Sequence, residues 1–177
     1  LINQKERVTL LIPYQGKRPN IHEDVYIAEG AKIIGDVTIA EKSTIWFNAV
    51  LRGDLAPIQI GHSCNIQDGV VGHLNVNQPL ILADEVSVGH AAIIHGCTVG
   101  KGTLIGMGAI VLNGADIGEY ALIGAGSIVT ENKKIPSYTL SIGSPAKVVR
   151  ELTDDDLLRM RKTMESYVTK GIEYRIS

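Results

Sequence analysis

From Val99 onward a branched apolar residue recurs at every sixth position: Val99, Ile105, Val111, Ile117, Ile123, Val129 and Ile135. An amphipathic helix would place apolar residues at i, i+3, i+4 and i+7, and a half-buried strand would simply alternate. A period of six describes instead a chain that turns a corner after each short strand. Glycine follows four of the seven, at Gly100, Gly106, Gly118 and Gly124, where tolerance of positive φ suits a tight corner. Repeats this short predict an all-β solenoid, in which no coil buries its own apolar face until the next is stacked on it.

The same register runs earlier through Ile27, Ile33, Ile39, Ile45 and Leu51, then breaks three times. Leu51 and Ile60 are nine apart, with Ala56-Pro57 in the excess, which predicts a small extruded loop. Ile66 and Leu82 are sixteen apart, which predicts a second loop around Leu74 to Pro79. Ile94 and Val99 are only five apart, a shortened rung. All three breaks lie between residues 51 and 99, and solenoids tolerate irregularity on the face that carries binding.

Residues 1–24 show no period and carry Pro13, Gly16 and Pro19, which reads as a leading strand and loop. The solenoid is expected over 25–147, its repeat ending near Ser144-Pro145. Residues 148–177 are expected to hold one helix packed along it. Thr153 before Asp154, Asp155 and Asp156 has the pattern of an N-cap with acidic first-turn residues. Leu157, Met160, Met164, Tyr167 and Val168 follow at helical spacing, with an end expected near Gly171.

Composition narrows the class. A chain of 177 residues with one Trp and one Phe has no ordinary aromatic core, whereas its 45% apolar content suits a narrow stacked interior. A net charge of −2 gives no reason to expect nucleic acid or an anionic membrane as a partner. No apolar run approaches the roughly 18 residues of a transmembrane helix. Cys64 and Cys97, without a CxxC spacing, favour a reducing compartment, so a cytoplasmic location is expected.

The irregular window holds His73, His90 and His95. Catalytic zinc sites commonly use three protein ligands and leave one position for water; the plainer reading is three hydrogen-bonded surface histidines. His90 and His95 lie on the order of 15 Å apart along an extended chain at about 3.3 Å per residue, so convergence within one subunit is strained. Stacked coils could instead pair His73 with one later histidine and leave the other to a neighbouring copy in a closed ring. Arg52 and Asp54, two apart on a strand, form either a pair toward a partner chain or a solvated surface pair of little energetic weight. Asn65, Gln67 and Asp68 either position a reactive group or cap a corner.

Together these residues form a recognisable set. Trp46-Phe47-Asn48-Ala49-Val50-Leu51-Arg52-Gly53-Asp54, Asn65-Ile66-Gln67-Asp68-Gly69 with His73, Gly89-His90 and His95-Gly96-Cys97 resemble, in order, the gamma-class carbonic anhydrase family. The resemblance runs from about residue 20 to the end. It implies a left-handed parallel β-helix with a C-terminal helix, a homotrimer, and a metal at each subunit interface. The ligands would be His73 and His95 of one subunit and His90 of its neighbour, and the metal Zn2+, with Fe2+ or Co2+ as alternatives. Arg52 and Asp54 match the interface ion pair and Gln67 the residue that orients metal-bound hydroxide. Asp68 matches a supporting hydrogen-bond partner and Tyr167 a tyrosine that approaches the site. The reaction implied is reversible hydration of CO2 to bicarbonate, a lyase activity.

The sequence departs from the family where protons would leave. Leu55 and the stretch Leu74-Asn75-Val76 stand where the fully equipped branch carries glutamates. Neither Leu nor Val carries a proton, so slow hydration is expected unless buffer, water or Tyr167 substitutes. Two other classes compete. One is an acyl-group enzyme, either a coenzyme A-dependent acyltransferase, which needs one histidine and no metal triad, or a metal-dependent acyl-CoA thioester hydrolase. The other is a non-catalytic trimeric scaffold with a structural metal.

Overall fold

The computed structural model describes residues 10–176. Its strands stack into a parallel β-solenoid of about seven turns, with a C-terminal helix, α1 (Asp154–Ile176), laid along the outside. Three columns of strands form the walls. The first begins at Leu11–Ile12 and runs through Val71–His73, Ile93–His95 and Ile110–Val111 to Ile128–Val129. The second begins at Asn20–Ile21 and runs through Leu80–Leu82, Thr98–Val99 and Asp116–Ile117 to Lys134–Ile135. Two strands long enough to round a corner, Lys32–Ile39 and Val50–Ile60, belong to both columns and join them into one hydrogen-bonded sheet. The third column runs from Tyr26–Ile27 through Asn65–Ile66 and Ser87–Val88 to Thr139–Gly143, which the antiparallel strand Ala146–Glu151 closes off.

The period of six is the inward-facing position of each rung. Val99, Ile105, Val111, Ile117, Ile123, Val129 and Ile135 all point inward, and none exceeds 3% exposure. Burying each such side chain contributes roughly 1.5–3 kcal/mol, and the parallel register places them in columns, Ile33 over Leu51 and Val111 over Val129. The glycines that follow them have a different reason from the one expected. Gly100 and Gly106 do not have positive φ; a Cβ on either would lie 2.5 Å from a backbone nitrogen of the next coil. Positive φ falls two residues later, as at Gly102 with φ of 65°. Close approach of successive coils is therefore what excludes a side chain there.

Two expected boundaries move. Leu11–Ile12 and Asn20–Ile21 already pair in parallel with Lys32–Ile39, so a first coil lies within the segment read as a leading strand and loop. Its period is hidden because Leu11 and Ile21 are ten apart, the excess turning back on itself at the Tyr14 and Lys17 bridge. Helix α1 does not end near Gly171 but continues to Ile176. Gly171 is there for proximity: a Cβ would lie 2.4 Å from Thr44 Cγ2 of the third column. The N-terminus of α1 is as expected, with Thr153 Oγ1 accepting from the Asp156 N–H at 3.2 Å. The Asp156 carboxylate in turn accepts from the Thr153 N–H at 2.9 Å, a reciprocal capping box.

Candidate metal centre

All three breaks of the period fall at one corner, where the first column turns into the second. The turn closed by Asn75 and Gln78, the Ala56-Pro57 bend and the shortened rung lie there on successive coils. His73 and His95 sit on the first-column side of that corner, directly paired across adjacent coils. His73 Nδ1 and His95 Nε2 face each other at 3.1 Å, with the rings inclined at 68°.

The far side of each ring is held. Asp54 Oδ1 accepts from His73 Nε2 at 2.9 Å and Asn113 Oδ1 accepts from His95 Nδ1 at 2.8 Å. The acceptors behind the rings assign each neutral imidazole's proton to its outward nitrogen; in that tautomer the two facing nitrogens present lone pairs to one another, an arrangement that a shared cation relieves. Their spacing also fits a tetrahedral ion: two bonds of 2.0–2.1 Å at the tetrahedral angle span roughly 3.3 Å. Asp54 pairs with Arg52 on its other side. Burial pushes the Asp54 carboxyl up, but the hydrogen bonds from His73 and Arg52 outweigh it and hold it below the ordinary value of 3.8.

His90 belongs to a different corner, between the third and first columns. Its backbone N–H donates to Gln67 Oε1 at 3.1 Å, its Nδ1 lies 2.8 Å from Asp68 Oδ2, and its Nε2 lies 3.4 Å from the Tyr167 hydroxyl. Gln67 is nearly buried and fixed at both ends, since its Nε2 donates to Asn65 Oδ1 at 3.0 Å and Asn65 Nδ2 donates to Ser87 Oγ at 2.7 Å. Helix α1 brings Tyr167 to this corner, its ring packed edge-on against Trp46 at 5.3 Å. Burial raises the Tyr167 phenol above its ordinary 10.0, and the charge of Asp68 adds to the rise.

The structure thus brings together His73, His95, Asp54 and Arg52 at one corner and His90, Asp68, Gln67, Asn65 and Tyr167 at another. Among the described residues, no three His, Cys, Asp or Glu side chains of one chain converge on a common point. Asn113 escaped sequence reasoning, because its link to His95 depends on how the shortened rung stacks. Cys64 and Cys97 take no part: burial pushes both thiols up to about 12. A cleft of about 280 Å3 between α1 and the corner carrying Tyr120 and Tyr138 is lined by neither histidine group.

The short strands, six-residue rungs and parallel stacking define a hexapeptide-repeat protein. The profile of the bacterial transferase hexapeptide family (six repeats) matches residues 18–53 and 96–131, leaving out most of the irregular window that holds His73, His90 and His95. A carbonic anhydrase of Geobacillus kaustophilus is 52% identical over 166 residues, covering 94% of this chain and 91% of the relative. Gamma carbonic anhydrase 2, mitochondrial, of Arabidopsis thaliana is 40% identical over 86% of this chain and 57% of its own length. The crystal structure of a hexapeptide transferase family protein from Anaplasma phagocytophilum superposes with a TM-score of 0.91 at 37% identity, covering 94% of this chain and 98% of that one. The chain belongs to the gamma-class carbonic anhydrase family.

Proposed function

We propose that this protein is a metal-dependent carbonic anhydrase that reversibly hydrates CO2 to bicarbonate at sites shared between the subunits of a homotrimer. The observation that carries the reading is the facing pair His73 and His95, each with its outer nitrogen already engaged. His90, on the opposite corner of the same coil region, is available to the pair of a neighbouring copy. Zn2+ suits three imidazoles, and Fe2+ or Co2+ are alternatives. When bound, such an ion lowers the pKa of its water to about 7 and so supplies hydroxide at neutral pH.

The chain's own residues do the rest. Asp54 and Asn113 fix the two rings, as outer hydrogen-bond partners of metal-binding histidines generally do. Gln67, locked by the His90 N–H and by Asn65, offers its remaining amide hydrogen to orient the attacking oxygen toward the CO2 carbon. Tyr167 adds a hydroxyl that stays protonated at neutral pH. Leu55 and Val76, both substantially exposed near the histidine corner, carry no proton. Proton release therefore falls to buffer, water or Tyr167, and slow turnover is expected.

Assembly is supported by the outer surface of the first column. Val50, Val71, Ile93, Ile110 and Ile128 stand in one ladder beside the row that holds Arg52, His73 and His95, with Val71 and Ile93 exposed. An apolar stripe next to half-built metal sites is a surface for a second copy.

Stopped-flow CO2 hydration on zinc-, iron- or cobalt-loaded protein under reducing conditions, beside native mass and metal analysis, tests the reading. One ion per chain in a trimer and a rate above buffer are expected, with activity lost in His90→Ala. No rate with any of the three metals removes the carbonic anhydrase reading, and dissociation of His90→Ala in a chain that also cleaves no acyl-CoA would then assign the metal a structural role. The transferase name of the Anaplasma relative keeps an acyl-CoA reaction as the second reading. Metal-dependent cleavage of acyl-CoA without CO2 hydration would favour it.

A further inference from the structure

The shortened rung between Ile94 and Val99 differs in kind from the other two breaks. Nothing is extruded there; one residue is missing relative to the six-residue rung from Val111 to Ile117 one coil on. The corner is left with Gly96 at φ of 53°, its N–H donating to the His73 carbonyl at 2.9 Å and its own carbonyl accepting from the Gly114 N–H at 2.7 Å. Asn113, nearly buried on the following coil, fills the space above. A Cβ at Gly96 would lie 2.4 Å from Asn113 Oδ1, so the amide occupies the volume a side chain would need. From that position Oδ1 reaches His95 Nδ1 at 2.8 Å.

We infer that Gly96 and Asn113 form a positioning device: the shortened rung and the missing side chain let Asn113 settle onto His95, accept a hydrogen bond from its Nδ1–H and leave Nε2 as the lone-pair nitrogen turned toward His73. The inference rests on the proposed metal site for its consequence, since a ring held in one tautomer and one orientation is what lets His95 act as a ligand. Asn113 acts through His95 and touches no reacting atom. It is an acceptor that Asp could replace, and that Leu, of similar size, could not.

The test uses the full chain and three variants, Asn113→Leu, Asn113→Asp and Gly96→Ala. Affinity is measured by competition of Zn2+ and Co2+ against a chromophoric chelator, and the His95 tautomer by imidazole nitrogen chemical shifts of the metal-free protein. Removing an outer partner of a metal-bound histidine weakens affinity by about 10–100-fold, and Asn113→Leu and Gly96→Ala are expected to do so. Asn113→Asp should stay within about threefold of the parent, the rescue that a purely structural role for the amide would not produce. Metal-free Asn113→Leu should retain the circular dichroism of the parent while losing the Nδ1–H tautomer at His95. Unchanged affinity and tautomer in Asn113→Leu overturn the inference. If the parent chain binds neither metal, the metal-site reading fails by itself, and retention of the Nδ1–H tautomer in Asn113→Leu still overturns the role given to Asn113.

Discussion

His73 and His95 stand opposite one another on adjacent coils with their nearest ring nitrogens 3.1 Å apart. In the regular rungs from Val99 to Ile135 the residue after the inward position is a glycine at four of seven, Gly100, Gly106, Gly118 and Gly124. Here two imidazoles are directed at each other, and both are braced from behind by an acceptor. The breaks in the six-residue period lie at the same corner. Irregular spacing and the facing histidine pair thus share one place in the fold.

Bracing by Asp54 is testable apart from catalysis. Asp54→Asn weakens the acceptor for His73 Nε2 and leaves Arg52 without its partner. Zinc affinity is expected to fall by about 10–100-fold, with the secondary structure of the metal-free protein unchanged. Chelator competition on the purified variant checks it, and parent-like affinity would show that Asp54 is not a brace.

Tyr167→Phe separates packing from hydrogen bonding. The ring stays against Trp46, and only the hydroxyl that lies 3.4 Å from His90 Nε2 is lost. One neutral hydrogen bond is worth about 1 kcal/mol, so CO2 hydration should fall by about fivefold. Metal content and thermal midpoint should not move. Because burial raises the phenol above 10.0, the parent's rate profile should show no break from this group between pH 6 and 9.

How much of this was legible in the chain follows from the arithmetic of the rungs. Where a coil has eighteen residues, as from Val99 to Ile117 to Ile135, every inward residue was readable from spacing. The first coil was missed because a reversing turn at Tyr14 and Lys17 adds four residues between Leu11 and Ile21. The rung after Ile66 was obscured because its inward position is Gly72, whose neighbours Leu74 and Leu80 fill the interior instead. The pairing of His73 with His95 was open to spacing and settled only by stacking. Asn113 was invisible, since a contact made by deletion leaves no motif.

Gly72 leads to a stability prediction. It lies in the first column between Leu51 and Ile94, and a Cβ would meet Leu51 Cδ2 at 2.7 Å and Leu80 Cδ2 at 3.2 Å. Gly72→Val overfills this layer and is expected to cost about 1–3 kcal/mol. Urea unfolding of parent and variant, with equal slopes and a lower midpoint, is the expected result. A neutral outcome would mean that the interior beside the histidine corner yields more readily than the tightly stacked coils around it.

The docking of α1 depends on its first turn. Asp156, only 2% exposed, accepts from Thr153, Arg150 and Arg159, and the Arg150 guanidinium together with the Thr153 donors holds its carboxyl far below the ordinary 3.8. A carboxyl lowered by folding stabilises the fold in its ionised form; that contribution is complete above pH 3.8 and is lost as the pH falls through the lower native value. The gap in thermal midpoint between the parent and Asp156→Asn should therefore be constant from pH 8 to 5 and close only below 3.8. Thr153→Ala, which removes the cap hydroxyl, should cost about 1 kcal/mol at neutral pH. Trp46 is the single tryptophan of the chain and lies under Tyr167 and Tyr174 of the helix. Its emission should shift to the red when α1 detaches, and in Asp156→Asn that shift should precede loss of the solenoid's far-ultraviolet dichroism on heating. Simultaneous loss of both signals would show instead that helix and solenoid unfold as one unit.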